Sequence, residues 1–267
     1  MALIRVETVD DERLALFRLR ERGLTTRADK RDDTGSGLFL AEGDLVVTRA
    51  HSAGCRPVAA LADADRIPAV AHRLGIDVFV GGDEIRRVVT GIGMPHPIVA
   101  VFERPPRPSA VSLLARSHRL VVAEQVDNPA NIGGIVRNAA GLGWDGLLLD
   151  GASSDPLSRR ALRVAMGTAF TLPHARTSDL IGLLTDELDR GHRDLLALTP
   201  DPGAPSVADI AAHLDPARPR AVIIGSERAG LSVEVLDRCQ PVRIPMAPGV
   251  DSLNAAAASA IACFALR

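Results

Sequence analysis

Tyrosine is absent from this chain of 267 residues, and the other aromatic residues are one tryptophan and six phenylalanines. So few aromatic side chains argue against recognition of single-stranded nucleic acid through an extended platform of stacked rings. Cysteine is equally scarce, and Cys55, Cys239 and Cys263 lie far apart, without the short Cys or His spacing of a zinc site. We therefore predict neither a metal site nor disulfide bonds, which is typical of a reducing compartment.

Long hydrophobic runs are also missing. The longest apolar stretch, residues 255–266, is interrupted by Ser259 and is shorter than the roughly 20 residues of a membrane-spanning helix. The first residues become charged at once, unlike a secretory signal sequence. We expect a cytoplasmic protein. With 46% hydrophobic and 24% charged residues, the chain has enough apolar side chains for one large domain or two smaller ones.

The charge balance gives little support to a nucleic-acid partner, because the formal net charge is −2 and such proteins are usually basic. Lysine is nearly absent, since Lys30 is the single lysine among 31 basic residues. Arginine binds phosphate oxygens through two parallel N–H groups, so a local arginine-rich surface could hold RNA without a high overall charge. A GC-rich coding sequence also produces an excess of arginine over lysine, so this excess is weak evidence for RNA binding.

Strand and helix signals alternate in residues 1–108 and predict a small N-terminal α/β domain. A helix is predicted from Asp10 to Arg22, capped by Asp10, and a charged loop extends to residue 37. In the α/β unit that follows, at 38–103, a further helix is predicted from Asp63 to Leu74.

The segment 103–109, ERPPRPS, contains three prolines within four positions. Proline interrupts both helices and central strands, so this segment predicts a domain boundary near residue 108. Beyond it, at 109–267, short continuous apolar strands such as 120–123 and 221–224 alternate with helical patterns. Strands of this kind are typical of a buried parallel sheet, and they predict a second α/β domain.

Three loops in this second domain carry candidate functional residues. The first, residues 127–144 (DNPANIGGIVRNAAGLGW), leaves a predicted strand and opens a helix. Glycines at a helix N-terminus allow backbone amides to approach an anionic ligand, and the helix dipole favours the negative charge. Arg137 follows Asn131 by less than two turns and can still reach the mouth of the loop. For this loop considered alone, the simpler interpretation is that Asn131 caps the helix and that the Arg137 side chain is solvated.

The second loop, residues 223–232 (IIGSERAGLS), places the carboxylate of Glu227 between Gly225 and Gly230. That carboxylate could contact a substrate or cap the next helix. The third loop begins at residue 244 and ends with Ser252 and Asn254 at a predicted helix start, where small polar residues are normally caps. None of the loops opens its helix with the GxGxxG pattern of a dinucleotide site, so a nicotinamide enzyme is not favoured.

In this order and at this spacing, the three loops resemble those of SpoU-type (TrmH-like) RNA 2′-O-ribose methyltransferases of the SPOUT class, over residues 119–267. The resemblance implies a C-terminal α/β domain with a deep trefoil knot, S-adenosyl-L-methionine as cofactor, no metal, and a homodimer with active sites completed across its two-fold interface. The implied catalytic residues are Arg137, Asn131, Glu227, Ser252 and Asn254. The implied cofactor-binding residues are Thr199, Gly225, Gly230, Ile244, Met246 and Leu253.

The segment 37–43, GLFLAEG, and the α/β order around it resemble the small RNA substrate-binding domain that many of these enzymes carry. Arginines near it and between the first two loops are candidates for contacts with RNA phosphate, which position an RNA without specifying its sequence. A solvated charged surface is the alternative for each of them. The candidates are Arg18, Arg20, Arg22, Arg27, Arg159, Arg160 and Arg163.

We therefore expect an RNA 2′-O-ribose methyltransferase, with rRNA favoured over tRNA because the tRNA enzymes often lack an N-terminal domain. A non-catalytic RNA-binding or ribosome-assembly factor with a SPOUT fold and a small-molecule methyltransferase stay open, as do housekeeping and antibiotic-resistance roles. The family role of Arg137 is that of proton acceptor, yet arginine stays protonated in proteins. We favour a role in fixing phosphate and stabilising the developing alkoxide.

Overall fold

The structure is a computed structural model that describes residues 1–24, 37–91 and 96–267. Its N-terminal sheet has the strand order β1-β4-β3-β5-β2. The strands are β1 (Leu3–Arg5), β2 (Leu38–Glu42), β3 (Pro57–Asp63), β4 (Val78–Gly81) and β5 (Ile98–Glu103). Strand β4 pairs in parallel with β1 and β3, whereas β5 is antiparallel to β2 and β3. The sheet is therefore mixed.

The helices of this half are short. They are α1 (Glu21–Leu24), α2 (Asp44–Ser52) and α3 (Asp83–Thr90), with 3-10 turns at Glu12–Arg18 and Ala71–Arg73. The predicted helix from Asp10 to Arg22 is thus divided, because Leu19 has an extended backbone, and its cap is Asp11, which accepts from the Arg13 amide at 2.9 Å.

The predicted helix from Asp63 to Leu74 is wrong. Strand β3 continues to Asp63, whose amide donates to the Pro97 carbonyl at 2.8 Å, and the Ala64 amide donates to Gly81 at 3.2 Å. These bonds hold the first residues of the predicted helix in the sheet. Pro68 then stands where a helix interior would need an N–H donor, so only a short 3-10 turn forms after it.

The C-terminal sheet has the order β11-β9-β10-β6-β7-β8, and every pair is parallel. This agrees with the prediction from its continuous apolar strands. The strands are β6 (Arg119–Ala123), β7 (Gly146–Leu149), β8 (His174–Arg176), β9 (Asp194–Leu198), β10 (Arg220–Ile224) and β11 (Gln240–Val242). The chain passes from one sheet to the other between Glu103 and Arg119.

Helices cover both faces of this sheet. They are α4 (Ala110–Arg116), α5 (Pro129–Gly141), α6 (Arg159–Ala165), α7 (Leu180–Arg190), α8 (Val207–Ala211), α9 (Val233–Arg238) and α10 (Ala255–Ala265). Alternate strand residues point to opposite faces, so Val122 packs with α4, α7 and α9, whereas Val121 packs with α5, α6 and α10. Within the described ranges, no helix is long and apolar enough to cross a bilayer.

The two sheets share a continuous hydrophobic core on the α5 side. Phe39 stacks on Phe102 at 5.4 Å between ring centroids, and Phe170, from the turn after α6, tilts against Phe39 at the same distance. Beside this contact, the buried Glu42 at the end of β2 accepts from Arg159 Nε at 2.6 Å. We call this contact zone the seam; it packs the N-terminal sheet against α6.

Candidate active site

A cavity of about 370 Å³ opens at the carboxyl ends of β9 and β10. Small-molecule sites have volumes of roughly 300–1,000 Å³ and lie at this end of parallel sheets. The structure brings all six predicted cofactor-binding residues to the wall of this cavity. They are Thr199, Gly225, Gly230, Ile244, Met246 and Leu253.

The second loop folds back on itself as a tight turn at the cavity wall. Ser226 and Gly230 exchange two backbone hydrogen bonds, at 3.0 and 3.2 Å. A Cβ at Gly225 would lie 2.5 Å from the Gly230 oxygen, and Gly230 has a φ of +71°. Both positions therefore require glycine. The exposed Glu227 lies at the tip of this turn, on the cavity rim.

A buried carboxylate that the sequence analysis missed fixes the exit of the second loop. Glu124 follows β6, and its side chain accepts from the Ser232 amide at 2.9 Å and from Ser232 Oγ at 2.6 Å. Ser232 in turn caps α9 by accepting from the Val235 amide. Charge-assisted bonds of this kind are short and strong. The available signal was an acidic residue directly after an apolar strand.

The first and third loops are joined by a side-chain hydrogen bond. Asn254 Nδ2 donates to Asn131 Oδ1 at 2.9 Å, while Asn254 Oδ1 accepts from the amides of Ala256 and Ala257 and caps α10. Asn131 is buried, and its Nδ2 has no partner among the described residues. The first and third loops are therefore in direct contact.

Helices α5 and α10, which the two loops open, pack side by side. A Cβ at Gly134 would lie 2.5 Å from the Ala256 Cβ, so the helices approach more closely than a side chain would permit. Asn138 Nδ2 donates to the Ala256 carbonyl at 2.7 Å, and Trp144 Nε1 donates to the Cys263 carbonyl at 2.9 Å. These contacts fix the position of the first loop relative to the third loop.

Arg137 lies apart from the other candidate catalytic residues. Glu227 and Ser252 line the cavity, and Asn131 and Asn254 bind each other at its edge. Arg137 is exposed on α5 and lines a second cleft instead, together with residues of α2 and α10. Within the described part of the chain, its guanidinium makes no hydrogen bond or ion pair.

The predicted RNA-binding arginines occupy different environments. Arg159 bonds to Glu42 and donates Nη2 to the Thr90 carbonyl at 3.0 Å, so its guanidinium is engaged in the seam. Arg163 lies 3.4 Å from Glu42, whereas Arg160 is exposed. Arg18 donates Nη2 to the Asp11 carbonyl at 3.1 Å. Arg20 is exposed; only the backbone of Arg22 is described, and Arg27 lies outside the described residues. RNA contact by these arginines stays a prediction.

Two titratable groups with shifted pKa values, the half-buried Asp155 and the buried His174, lie close to the linker. Burial acts to raise the pKa of Asp155, but Arg104, whose Nη2 lies 2.5 Å from its carboxylate, and Arg107 lower it to about 2. Burial and, secondarily, Arg107 lower the pKa of His174 to about 4. His174 is therefore neutral at pH 7.

The three cysteines are buried and are poor nucleophiles at neutral pH. Burial raises the pKa of Cys263 to about 12 and that of Cys239 and Cys55 to about 11, so all three thiols stay protonated. No group of three His, Cys, Asp or Glu side chains in the described ranges is placed to hold a metal ion.

Known proteins match the chain along its length. The SpoU rRNA Methylase family matches residues 118–264, which is more than half of the chain. A tRNA/rRNA methyltransferase of Mycobacterium bovis, itself uncharacterized, is 35% identical over 261 residues, covering 96% of this chain and 88% of that protein. The 23S rRNA (guanosine(2553)-2′-O)-methyltransferase RlmP of Bacillus subtilis is 27% identical, covering 89% of this chain and 92% of that protein.

Solved structures match both halves. An AdoMet-bound rRNA methyltransferase from Sinorhizobium meliloti has a TM-score of 0.77 at 25% identity and covers 99% of this chain and 97% of that chain. The SpoU methyltransferase AviRb from Streptomyces viridochromogenes, in complex with AdoMet, has a TM-score of 0.76 at 25% identity and covers 96% and 97%. The chain belongs to the SpoU rRNA Methylase family and is a SpoU-type RNA methyltransferase of the SPOUT class.

Proposed function

We propose that the protein transfers a methyl group from S-adenosyl-L-methionine to a ribose 2′-hydroxyl of ribosomal RNA. The observation that carries this proposal is the cavity at the ends of β9 and β10, where all six expected cofactor-binding residues meet. The relative RlmP is named as a 2′-O-methyltransferase of 23S rRNA, which favours rRNA. The name of the Mycobacterium bovis relative covers tRNA and rRNA, so a tRNA ribose is the second candidate.

S-adenosyl-L-methionine is the cofactor, and the cavity residues fit it. The absent Cβ of Gly225 leaves backbone groups of the second loop at the wall, where they can bond to polar atoms of a nucleoside. Ile244, Met246 and Leu253 supply apolar surface for a flat ring. When bound, the cofactor supplies an electrophilic methyl group on a sulfonium.

The chain's own residues have to position the 2′-hydroxyl and make loss of its proton easier. We assign the first task to the bonded pair of Asn131 and Asn254, which ties two loops of the site together. Arg137 stays protonated, so it cannot serve as the base. It holds the phosphate beside the reacting ribose and stabilises the developing alkoxide, while the 2′-hydroxyl proton passes to that phosphate. Ser252 and Glu227 contact the nucleotide at the rim.

The position of Arg137 supports a homodimer. In one chain Arg137 lies in a cleft apart from the cavity, and α10 exposes Ile261 (41%) and Phe264 (57%) beside that cleft. Exposed apolar side chains on one helix face are typical of an interface. We assign the apolar side of α10, with Ile261 and Phe264, to contact with a second copy, whose Arg137 completes the site; the side of the cleft formed by α2 lies outside this contact. For residues 109–267 we also propose the deep trefoil knot of the SPOUT class, supported by the likeness to its solved members.

Mixing two impaired variants tests the enzyme and the shared site together. At a cofactor concentration near the wild-type Kd, Arg137→Ala and Gly225→Ala should each lose most of the methyl transfer from labelled S-adenosyl-L-methionine to rRNA, and calorimetry should show the wild-type cofactor affinity in Arg137→Ala alone. Co-refolded or co-expressed mixtures should regain activity, because one site of each hybrid dimer receives an intact Arg137 and an intact cavity. A mixture without activity would contradict the shared site, and no binding heat at millimolar cofactor would contradict the enzyme.

A further inference from the structure

The cleft that Arg137 lines is also lined by Arg49 of α2, from the N-terminal half. The cleft has a volume of about 620 Å³ and lies where α2, α5 and α10 meet the turn after α6. Its two charged lining residues are both arginines, and no Asp or Glu of the described chain lines it. The cleft is therefore a local positive site in a protein whose formal net charge is −2.

Arg49 is held in place at the cleft wall. Its Nη1 donates to the Met166 carbonyl at 2.5 Å. Met166 has a φ of +53° and Gly167 a φ of +79°, so two consecutive left-handed residues turn this carbonyl toward α2. A Cβ at Gly167 would lie 3.2 Å from Arg49 Cδ, which shows how closely the turn packs on the arginine stem.

This anchoring leaves most of the guanidinium available. A guanidinium has five N–H donors, and the single bond to Met166 uses one of them. In the described part of the chain, Arg49 forms no ion pair with a carboxylate. A positioned arginine with free donors and no acidic neighbour is suited to a phosphate, which it can bind with two parallel hydrogen bonds.

We propose that Arg49 is a positioning residue that binds a phosphodiester of the RNA substrate next to the phosphate held by Arg137. The inference rests on the proposed RNA methylation and adds a residue of the N-terminal half to the substrate site. Phosphate contacts of this kind fix the register of an RNA without reading its bases. By holding this phosphodiester in the cleft that Arg137 also lines, Arg49 aligns the RNA strand with the methyl-transfer site.

The test compares Arg49→Gln, Arg49→Lys and the control Arg116→Gln in the full-length protein. Arg116 is exposed on α4, on the opposite face of the C-terminal sheet, and its Nε also donates to a backbone carbonyl, that of Ser112 at 3.2 Å. The probe is 23S rRNA from a strain of the source organism that lacks this gene. Steady-state methyl transfer gives KM and kcat, filter binding between 50 and 200 mM salt gives the salt dependence, and calorimetry gives cofactor affinity.

For Arg49→Gln we expect KM for RNA to rise about tenfold, kcat to change less than twofold, and the slope of log affinity against log salt to fall by roughly 1. Arg49→Lys should keep the slope and recover part of the KM, and Arg116→Gln should match the wild type. Cofactor affinity should be the same in all four proteins.

Two results would overturn the inference. An unchanged KM and salt slope in Arg49→Gln, with reduced thermal stability, would make the bond to Met166 purely structural. A shifted monomer–dimer equilibrium in sedimentation, with an unchanged slope, would make Arg49 part of the proposed contact between the two copies instead of an RNA-binding residue. A wild-type protein that binds RNA but transfers no methyl group would contradict the proposed function, and the salt slopes of the variants would still decide the role of Arg49.

Discussion

Asn254 donates a hydrogen bond from Nδ2 to Oδ1 of Asn131 at 2.9 Å, across 123 positions of the sequence. Each residue stands at the start of a helix, and those helices, α10 and α5, pack side by side. The bond therefore sets the relative position of the first and third loops at the edge of the cavity. Ser252 is carried on the same third loop, so its position depends on this bond as well.

Asn254→Ser separates the cross-loop bond from the helix cap. Serine still caps α10, so the free energy of unfolding should stay near the wild-type value, but its side chain is too short to bond to Asn131 as well. We expect methyl transfer to fall about 10- to 100-fold, because loop displacements of about 1 Å at a reacting centre have effects of this size. Asp179→Ala, which removes the cap bond of α7 to the Gly182 amide, should cost about 1 kcal/mol of stability and leave turnover intact. Wild-type turnover in Asn254→Ser would contradict the role of the bond.

Gly225→Ala should weaken cofactor binding more than tenfold. The added Cβ would overlap the Gly230 backbone, so the second loop has to move, at a cost of about 1–3 kcal/mol in stability. Gly151→Ala is the matched control, because a Cβ there would meet no atom within 4 Å. Calorimetry with S-adenosyl-L-methionine and thermal unfolding measure both effects. Equal affinities in the two variants would show that the turn does not form the cofactor wall.

Glu42→Gln tests whether the seam holds the two sheets together. The carboxylate is buried and bonds to Arg159, so its neutralisation leaves a guanidinium without its counter-charge. We expect a loss of about 3 kcal/mol in the free energy of unfolding by denaturant titration. Glu103→Gln removes the exposed pair with Arg56 and should cost less than about 1 kcal/mol. Similar losses in both variants would show that the seam pair is no stronger than a surface pair.

His174 should make the protein less stable in acid. Its pKa is about 4 in the folded protein and near 6.5 when exposed, so the unfolded chain binds the proton first as pH falls. The stability that depends on neutral His174 is complete above pH 6.5 and is lost between pH 6.5 and 4, to a total of about 3 kcal/mol. Burial raises the pKa of Glu21, which acts in the opposite direction. The difference between wild type and His174→Phe isolates the histidine; a pH-independent difference would refute this assignment.

The sequence predicts those parts of the fold that local patterns determine. The continuous apolar strands predict the parallel sheet. The cavity residues, in contrast, come from the resemblance of the three loops to those of SpoU-type methyltransferases. The helix predicted from Asp63 fails, since Ala64 and Asp63 bond to distant strands and Pro68 interrupts the pattern. A local hydrophobic periodicity does not show that a residue pairs with a strand distant in the sequence.

Long-range contacts of polar side chains are equally invisible in the sequence. Glu124 reads as one acidic residue after a strand, and only the folded chain brings it to Ser232. The sequence indicates an RNA contact or a solvated side chain for Arg159, yet Glu42 from the other half accepts a hydrogen bond from its Nε at 2.6 Å. The position of Arg137 in a separate cleft depends on how the helices pack. The sequence gives the distance between Arg137 and Asn131 along α5, but it does not show which side of α5 faces the cavity.

The most direct test of the account is the position of the methyl group. Purified protein is incubated with labelled S-adenosyl-L-methionine and with rRNA or tRNA from a strain lacking the gene, and the modified nucleosides are identified by mass spectrometry and mapped. We predict a 2′-O-methylated ribose at a discrete site in rRNA, formed by the wild type and absent with Arg137→Ala. A methyl group on a base, on tRNA alone, or on no RNA despite cofactor binding would contradict the proposed function.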